Sequence, residues 1–194
     1  MTLSVDELRD NVTKLRSEGL NTQQIADELS LSQTTIEWLS ASQSEGGERP
    51  PADVRIGWRT IGVRPMRIDS VGMIFADVVV EELDDEVDTI VGISLNGILF
   101  ANSIAEHLDL EVAIHRSVSE EVGGQLSNKY GNVGGKQVVI VDDVLSTGVT
   151  MRKAIESMRE QGAEVKLCMV LVNKTTNDEV SGVPLRGLIR AVQV

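Results

Sequence analysis

The apolar run Val138-Val139-Ile140-Val141 leads straight into two acids, Asp142 and Asp143, then into the small-residue stretch Ser146-Thr147-Gly148-Val149-Thr150, and from there into a helical pattern reaching about Gln161. A β-branched run with no polar interruption suits a strand buried on both faces, as in a parallel sheet covered by helices. Such sheets bind ligands beyond the carboxyl ends of their strands, which is where this order of residues delivers both carboxylates. The loop that follows brings backbone N–H groups, hydroxyls and the positive end of a helix dipole together, an anion cradle suited to a phosphate monoester. Asp142 and Asp143 precede the cradle at the spacing of a sugar from its own 5-phosphate and can accept hydrogen bonds from ribose hydroxyls. The ribose-phosphate residues expected from this segment are Asp142, Asp143, Leu145, Ser146, Thr147, Gly148, Val149 and Thr150. An acidic pair alone would be only a turn cap; strand, acids, Ser-Thr-Gly and a further hydroxyl in one contiguous run favour a ligand site.

The remainder of the second half supports the same fold class. From Val54 onward, strand-like and helix-like segments alternate, the mark of a mostly parallel sheet flanked by helices. Residues 68–83 read as a helix, 88–94 as a strand, 98–108 as a helix, 111–115 as a strand and 165–172 as a last core strand. Residues 117–135 are polar and glycine-rich with no strong period, and read as a long loop or a loop with a short hairpin. The single cysteine, Cys168, lies in the apolar run 165–172 and reads as a small core residue rather than a reactive thiol.

The first 41 residues have a different texture. Val5, Leu8, Val12 and Leu15 share one helix face that ends near Gly19; Ile25, Ala26 and Leu29 mark a second short helix; Ser32 caps a third in which Thr35, Ile36 and Leu39 turn inward. Small, polar, Gly and Pro residues dominate the stretch after it, so the expected division is a helical domain at 1–41, a linker at 42–53 and an α/β domain at 54–194.

Charge constrains partners. The formal net charge is -12, with 18 basic residues against 30 acidic ones. Overall repulsion is therefore expected toward nucleic acid, and any DNA contact must come from a local patch. Six lysines against twelve arginines on an acidic chain is a balance that proteins of salt-rich cytoplasm tend to show, with an ordinary acidic protein as the open alternative. No apolar run approaches the roughly 20 residues needed to cross a bilayer, no leader is apparent, and the expected location is the cytoplasm without membrane contact.

The segment around Asp142 and Asp143 resembles the phosphoribosyl pyrophosphate (PRPP) motif of type I phosphoribosyltransferases. That resemblance implies ribose contacts from the two acids, 5-phosphate contacts from residues 146–150, and a pyrophosphate loop at Ser94, Leu95, Asn96 and Gly97. It implies no required cofactor and no direct metal ligand, with Mg2+ arriving only alongside PRPP. One departure is large. Orotate phosphoribosyltransferases place basic residues on a flexible loop to neutralise the departing pyrophosphate, whereas here Glu120 and Glu121 occupy it, with only Arg116 and Lys129 nearby. Because such catalysis rests on stabilising developing negative charge, an acidic loop argues against efficient turnover.

Residues 19–39 resemble a helix-turn-helix, with Ala26 where two helices approach and Ser32 as cap. By that resemblance the DNA-facing residues are Ser32, Gln33, Thr34, Thr35 and Glu37, of which Gln suits adenine and Glu cytosine. Three basic side chains against nine acidic ones in residues 1–48 leave a three-helix interaction module as an open alternative. Arg49, Arg55, Arg59, Arg64 and Arg67 follow against one acid, Asp53. Arg49 and Arg55 are candidates for phosphate or minor-groove contacts, and service in the ligand pocket is equally open for this group.

A helix-turn-helix joined to a phosphoribosyltransferase-like domain resembles the archaeal GfcR family of regulators. The implied activity is regulation of sugar catabolism by a homodimer that binds promoter DNA and a small phosphorylated ligand. The alternatives are an active orotate-type phosphoribosyltransferase with an accessory helical domain, and a ligand-binding protein that recruits another protein.

Overall fold

The computed structural model describes residues 4–41, 51–84, 86–116, 125–127 and 129–192. By packing the chain divides into two compact units, residues 1–57 with 193–194, and residues 58–192.

The first unit holds α1 (Val5–Ser17), α2 (Thr22–Leu29) and α3 (Gln33–Ser40). Each begins on a residue whose side chain takes up orphan N–H groups. Ser4 with Glu7 and Asn21 with Gln24 form reciprocal capping boxes, and Ser32 accepts from Thr35 N. Gly19 follows α1 at φ 92°, the left-handed conformation that ends a helix cheaply only without a Cβ. Val12, Ile25, Ala26, Leu29, Ile36 and Leu39 form the core, with Leu8, Leu15 and Trp38 packed against it. Val5, expected on the inner face of α1, is instead 45% exposed in its first turn.

The unit does not stop where composition shifts. Asp53 Oδ2 accepts from Ser32 N and Thr35 Oγ1, each at 2.7 Å, and Arg55 Nε donates to Leu29 O at 3.0 Å. One carboxylate thus completes the cap of α3, and one guanidinium takes a last carbonyl of α2. Residues 54–57, assigned to the α/β domain by sequence, belong to the helical unit by packing. Asp53→Ala should cost about 1–2 kcal/mol, since a partly buried amide loses its acceptor. The check is a thermal melt of the full chain by circular dichroism, where an unchanged helical transition would show the carboxylate to be dispensable.

The second unit comprises α4 (Arg59–Gly62), α5 (Pro65–Leu83), β1 (Thr89–Ile93), α6 (Gly97–Leu108), β2 (Glu111–Arg116), β3 (Gln125–Leu126), β4 (Gln137–Leu145), α7 (Val149–Glu160), β5 (Glu164–Asn173), β6 (Glu179–Val180) and β7 (Val183–Arg190). Among the described residues the sheet order is β3-β2-β1-β4-β5-β7-β6. The five central strands are parallel, and the two-residue β3 and β6 pair antiparallel at the ends. The expected α/β class with a mostly parallel sheet is therefore observed.

Helices cover both faces. Val91, Ile93, Val138 and Ile140 turn toward Met151, Ala154, Ile155 and Met158 of α7. The alternate residues turn toward α6, which lies so close that a Cβ on Gly92 would stand 2.9 Å from Ile98 Cα. Two strands, β6 and β7, are not expected from the sequence. β7 contains Pro184, Arg186, Gly187 and Arg190, a polar interruption tolerated near a sheet edge but unlike a core strand. β3 supplies the short hairpin that was one of the two readings of residues 117–135, pairing Leu126 with His115.

Candidate functional site

β4 is longer than the apolar run that announces it. It continues through Asp142 and Asp143 to Leu145, with Asp142 opposite Val170 and Leu145 opposite Asn173 of β5. Successive side chains of a strand leave opposite faces, so the two acids do not stand side by side. Asp142 is partly exposed, and its Oδ1 accepts from Asp143 N at 2.9 Å. Asp143 is 8% exposed on the other face, where its Oδ2 accepts from Trp58 Nε1 at 2.7 Å and from Asn96 Nδ2 at 3.0 Å.

Beyond Leu145, itself buried, the chain turns through Ser146 and Thr147 to Gly148 at φ 75°, and α7 starts at Val149. The space beside Gly148 is open, with nothing within 4 Å of where a Cβ would stand. No acidic side chain occupies the first turn of α7. Thr147 Oγ1 accepts only a long bond, 3.5 Å, from Val149 N. A helix start with amides on offer, hydroxyls from Ser146, Thr147 and Thr150, and a glycine leaving room is an arrangement that can hold a phosphate-sized anion.

The loop after β1 reaches the same strand end. Ser94 N donates to His115 O at 2.8 Å, the Ser94–Leu95 peptide is cis, and Leu95 is 75% exposed. Asn96 precedes α6 without a side-chain cap, its backbone already helical at φ -72°, ψ -35°, and its Nδ2 donates to Asp143. A Cβ on Gly97 would lie 2.3 Å from Val141 O, so only glycine lets α6 begin against β4. The structure thus brings residues 94–97, Asp142, Asp143 and 145–150 together at one edge of the sheet.

Arg116 closes β2, exposed, and donates to Ser127 Oγ at 3.1 Å; Lys129 is exposed. Glu120, Glu121 and Arg49 lie outside the described residues. Burial raises the Cys168 thiol to about 12, as befits an inert core residue. In the helical unit, Ser32 and Thr35 are buried and spent on the α3 cap and Asp53, a correction to their place among DNA-facing side chains. Thr34 and Glu37 point to solvent, and Gln33, partly exposed, donates to Gln23 Oε1 of α2. Arg55 is exposed but anchored by its Nε to α2.

Against known proteins, the family described as "Phosphoribosyl transferase domain" matches residues 58–193, beginning at the first residue of the α/β unit. Over nearly its full length the chain is similar to "Transcriptional regulator GfcR" of Thermoplasma acidophilum, 38% identical over 192 residues and 96% of each chain. It is equally similar to "Transcriptional regulator GfcR 2" of Methanosarcina barkeri, 38% identical over 198 residues and 98% of each chain. The chain belongs to the GfcR family of transcriptional regulators. Among solved structures this GfcR-family chain resembles orotate phosphoribosyltransferase from Aeropyrum pernix, at 25% identity and TM-score 0.57, covering 73% of this chain and 81% of the other. It also shares the fold of adenine phosphoribosyltransferase from Thermoanaerobacter pseudethanolicus, at 19% identity and TM-score 0.59, covering 73% and 90%.

Trp58 was not legible beforehand as a partner of Asp143, whereas Asn96 was expected in the loop at 94–97 but without its bond to that acid. Trp58 reaches Asp143 across 85 positions of sequence, and Asn96 across 47. The only local signal was rarity: Trp58 is one of two tryptophans in the chain. It lies against Phe100 with ring centroids 5.5 Å apart, a position that periodicity around residue 58 does not disclose.

Proposed function

We propose that this GfcR-family protein binds promoter DNA and regulates central sugar catabolism, its α/β unit sensing a phosphorylated metabolite, PRPP or a sugar phosphate. The observation that carries the reading is the open cradle at Gly148 and the start of α7, directly beyond Asp142 and Asp143. Mg2+ enters only as the companion of a diphosphate ligand. The three helices act as a helix-turn-helix, with α3 presenting Gln33, Thr34 and Glu37, and with Arg49 and Arg55 adding phosphate contacts. Ligand occupation shifts DNA affinity by no more than its differential affinity for the two states of the protein. A cytoplasmic homodimer matches the two-fold operators such motifs read. Met66, Met73, Ile74 and Val80 leave an apolar stripe on the outer side of α5, a suitable face for the partner copy, to be checked by sedimentation of a Met73→Glu variant. Among the described residues, no helix is long and apolar enough to cross a membrane.

The deciding experiment is fluorescence anisotropy with the protein's own upstream DNA and a shuffled control, in potassium chloride from moderate to molar, with and without PRPP. Sequence-preferring binding that moves with PRPP supports the reading; equal or absent binding to both DNAs sinks it. Replacing Arg55 by Ala should flatten the dependence of affinity on salt if its guanidinium meets a phosphate. The similarity to an orotate phosphoribosyltransferase keeps one second reading in play, an active transferase, which release of pyrophosphate from PRPP and orotate would revive. The acidic pair Glu120 and Glu121 counts against it.

A further inference from the structure

Asp143 stands at the proposed ligand site, yet one of its oxygens is already committed. Its Oδ2 receives both the indole N–H of Trp58, at 2.7 Å, and the amide of Asn96, at 3.0 Å. The indole lies against Phe100 with ring centroids 5.5 Å apart, and the Phe100 ring is packed edge-on against Phe75 at 5.6 Å. The ring also lies flush with α4, where a Cβ on Gly62 would come within 2.7 Å of Trp58 Cζ3. Trp58 is therefore held by one polar bond and a close apolar seat. In the chain, it is the first residue of the α/β unit. Only Ile56 and Gly57 separate it from Arg55, which is bonded to Leu29 O of the helical unit.

From this placement we propose that Trp58 is the residue through which occupation of the Asp143 site is transmitted to the DNA-binding unit. The inference rests on the ribose-phosphate reading given above. A sugar hydroxyl donating to the other oxygen of Asp143 turns the carboxylate and draws Oδ2 away from the indole N–H. A partly buried N–H that loses its acceptor must turn or find another, and the backbone at residue 58 turns with it. The ligand needs no contact with the helical unit, because the covalent connection through Ile56 and Gly57 carries the displacement. Asn96 plays a different part: it holds the β1–α6 loop to the same oxygen, so a ligand that spans that loop and the cradle loosens two donors at once. Differential interaction with the two arrangements, which any allosteric effect requires, is thereby located in one carboxylate.

The test uses the full chain labelled with 5-fluorotryptophan, whose two 19F resonances report Trp38 and Trp58 and are assigned with Trp58→Phe. Titration with PRPP, and separately with ribose 5-phosphate, is expected to move the Trp58 resonance and leave that of Trp38 in place. Trp58→Phe keeps a ring against Phe100 but removes the donor. It should still bind PRPP, while the ligand-induced change in DNA affinity, about tenfold in the unmodified chain, falls below about twofold. If the unmodified chain responds to PRPP and Trp58→Phe responds equally, the inference is overturned and the regulator reading stands. If PRPP binds and the Trp58 resonance does not move, the inference is overturned even should Trp58→Phe fail to fold. Binding of neither probe overturns the ligand-sensing reading itself and the inference with it.

Discussion

His115→Leu is expected to remove about 2.5 kcal/mol of the stability loss that the unmodified protein suffers between pH 7 and pH 4.5. His115 is 1% exposed in β2, facing Ile93 and Leu126 across the sheet, and among the described residues neither ring nitrogen has a hydrogen-bond partner. Burial lowers its pKa from 6.5 to about 4. In the unfolded chain the imidazole protonates near its ordinary value, while the folded chain resists until about pH 4. The stabilisation from keeping it neutral is complete above the unfolded value, is lost as pH falls through the window between the two, and changes no further below the folded value. At pH 7 the substitution should be neutral or slightly stabilising, because it replaces an unsatisfied buried polar ring with an apolar group of similar size. Urea midpoints at several pH values for both proteins decide the matter, since the carboxylates that titrate in the same range are common to both. Parallel stability curves down to pH 4.5 would sink the prediction.

The second large effect belongs to Gly97→Ala. The added methyl would stand 2.3 Å from Val141 O and 3.1 Å from Asp142 Cα, and both atoms are backbone of a strand paired on each side. A flexible side chain could swing away; β4 cannot. The start of α6 must shift outward instead, opening the Asn96–Asp143 bond. A loss of about 2–4 kcal/mol is expected, within the range of overpacked cores. Gly148→Ala is the informative comparison. Nothing stands within 4 Å of its Cβ position, and its cost is confined to holding a left-handed φ of 75°, about 1–2 kcal/mol. If Gly97→Ala unfolds at the same urea concentration as the unmodified chain, close packing of α6 on β4 does not matter to stability. A folded Gly97→Ala protein should bind ribose 5-phosphate more weakly in calorimetry, because residues 94–97 and Asp143 would no longer meet.

Much of the α/β unit could be read in advance because its period is local. β1, α6, β2, β5 and α7 begin and end within two residues of expectation, since an apolar run or a 3.6-residue stripe is written in consecutive residues. What failed was non-local. β4 runs on to Leu145 because β5 supplies hydrogen-bond partners as far as Asn173, and nothing within 142–145 announces them. The acids were seen but not their opposite faces, which follows only once the strand is known to include them. Trp58 and Asn96 converge on Asp143 through tertiary packing alone. In the helical unit, Ser32 and Thr35 looked available because a helix start offers hydroxyls; Asp53, the last residue of the expected linker, is bonded to both.

That last contact changes what the glycine- and proline-containing stretch before Asp53 is for. Arg9 Nη1 donates to Ala41 O at 2.9 Å, and Asp53 is fastened to the start of α3. The chain is therefore fastened to the helical unit at Ala41 and again at Asp53. Lengthening a segment whose two ends are both held costs only loop-closure entropy, about 0.6 kcal/mol for each doubling. Ile56 and Gly57 are under the opposite constraint, because a residue inserted there would alter the tether between an anchored arginine and a seated tryptophan. Insertions and deletions among proteins of this architecture should accordingly accumulate before Asp53 and be rare in the two positions after Arg55.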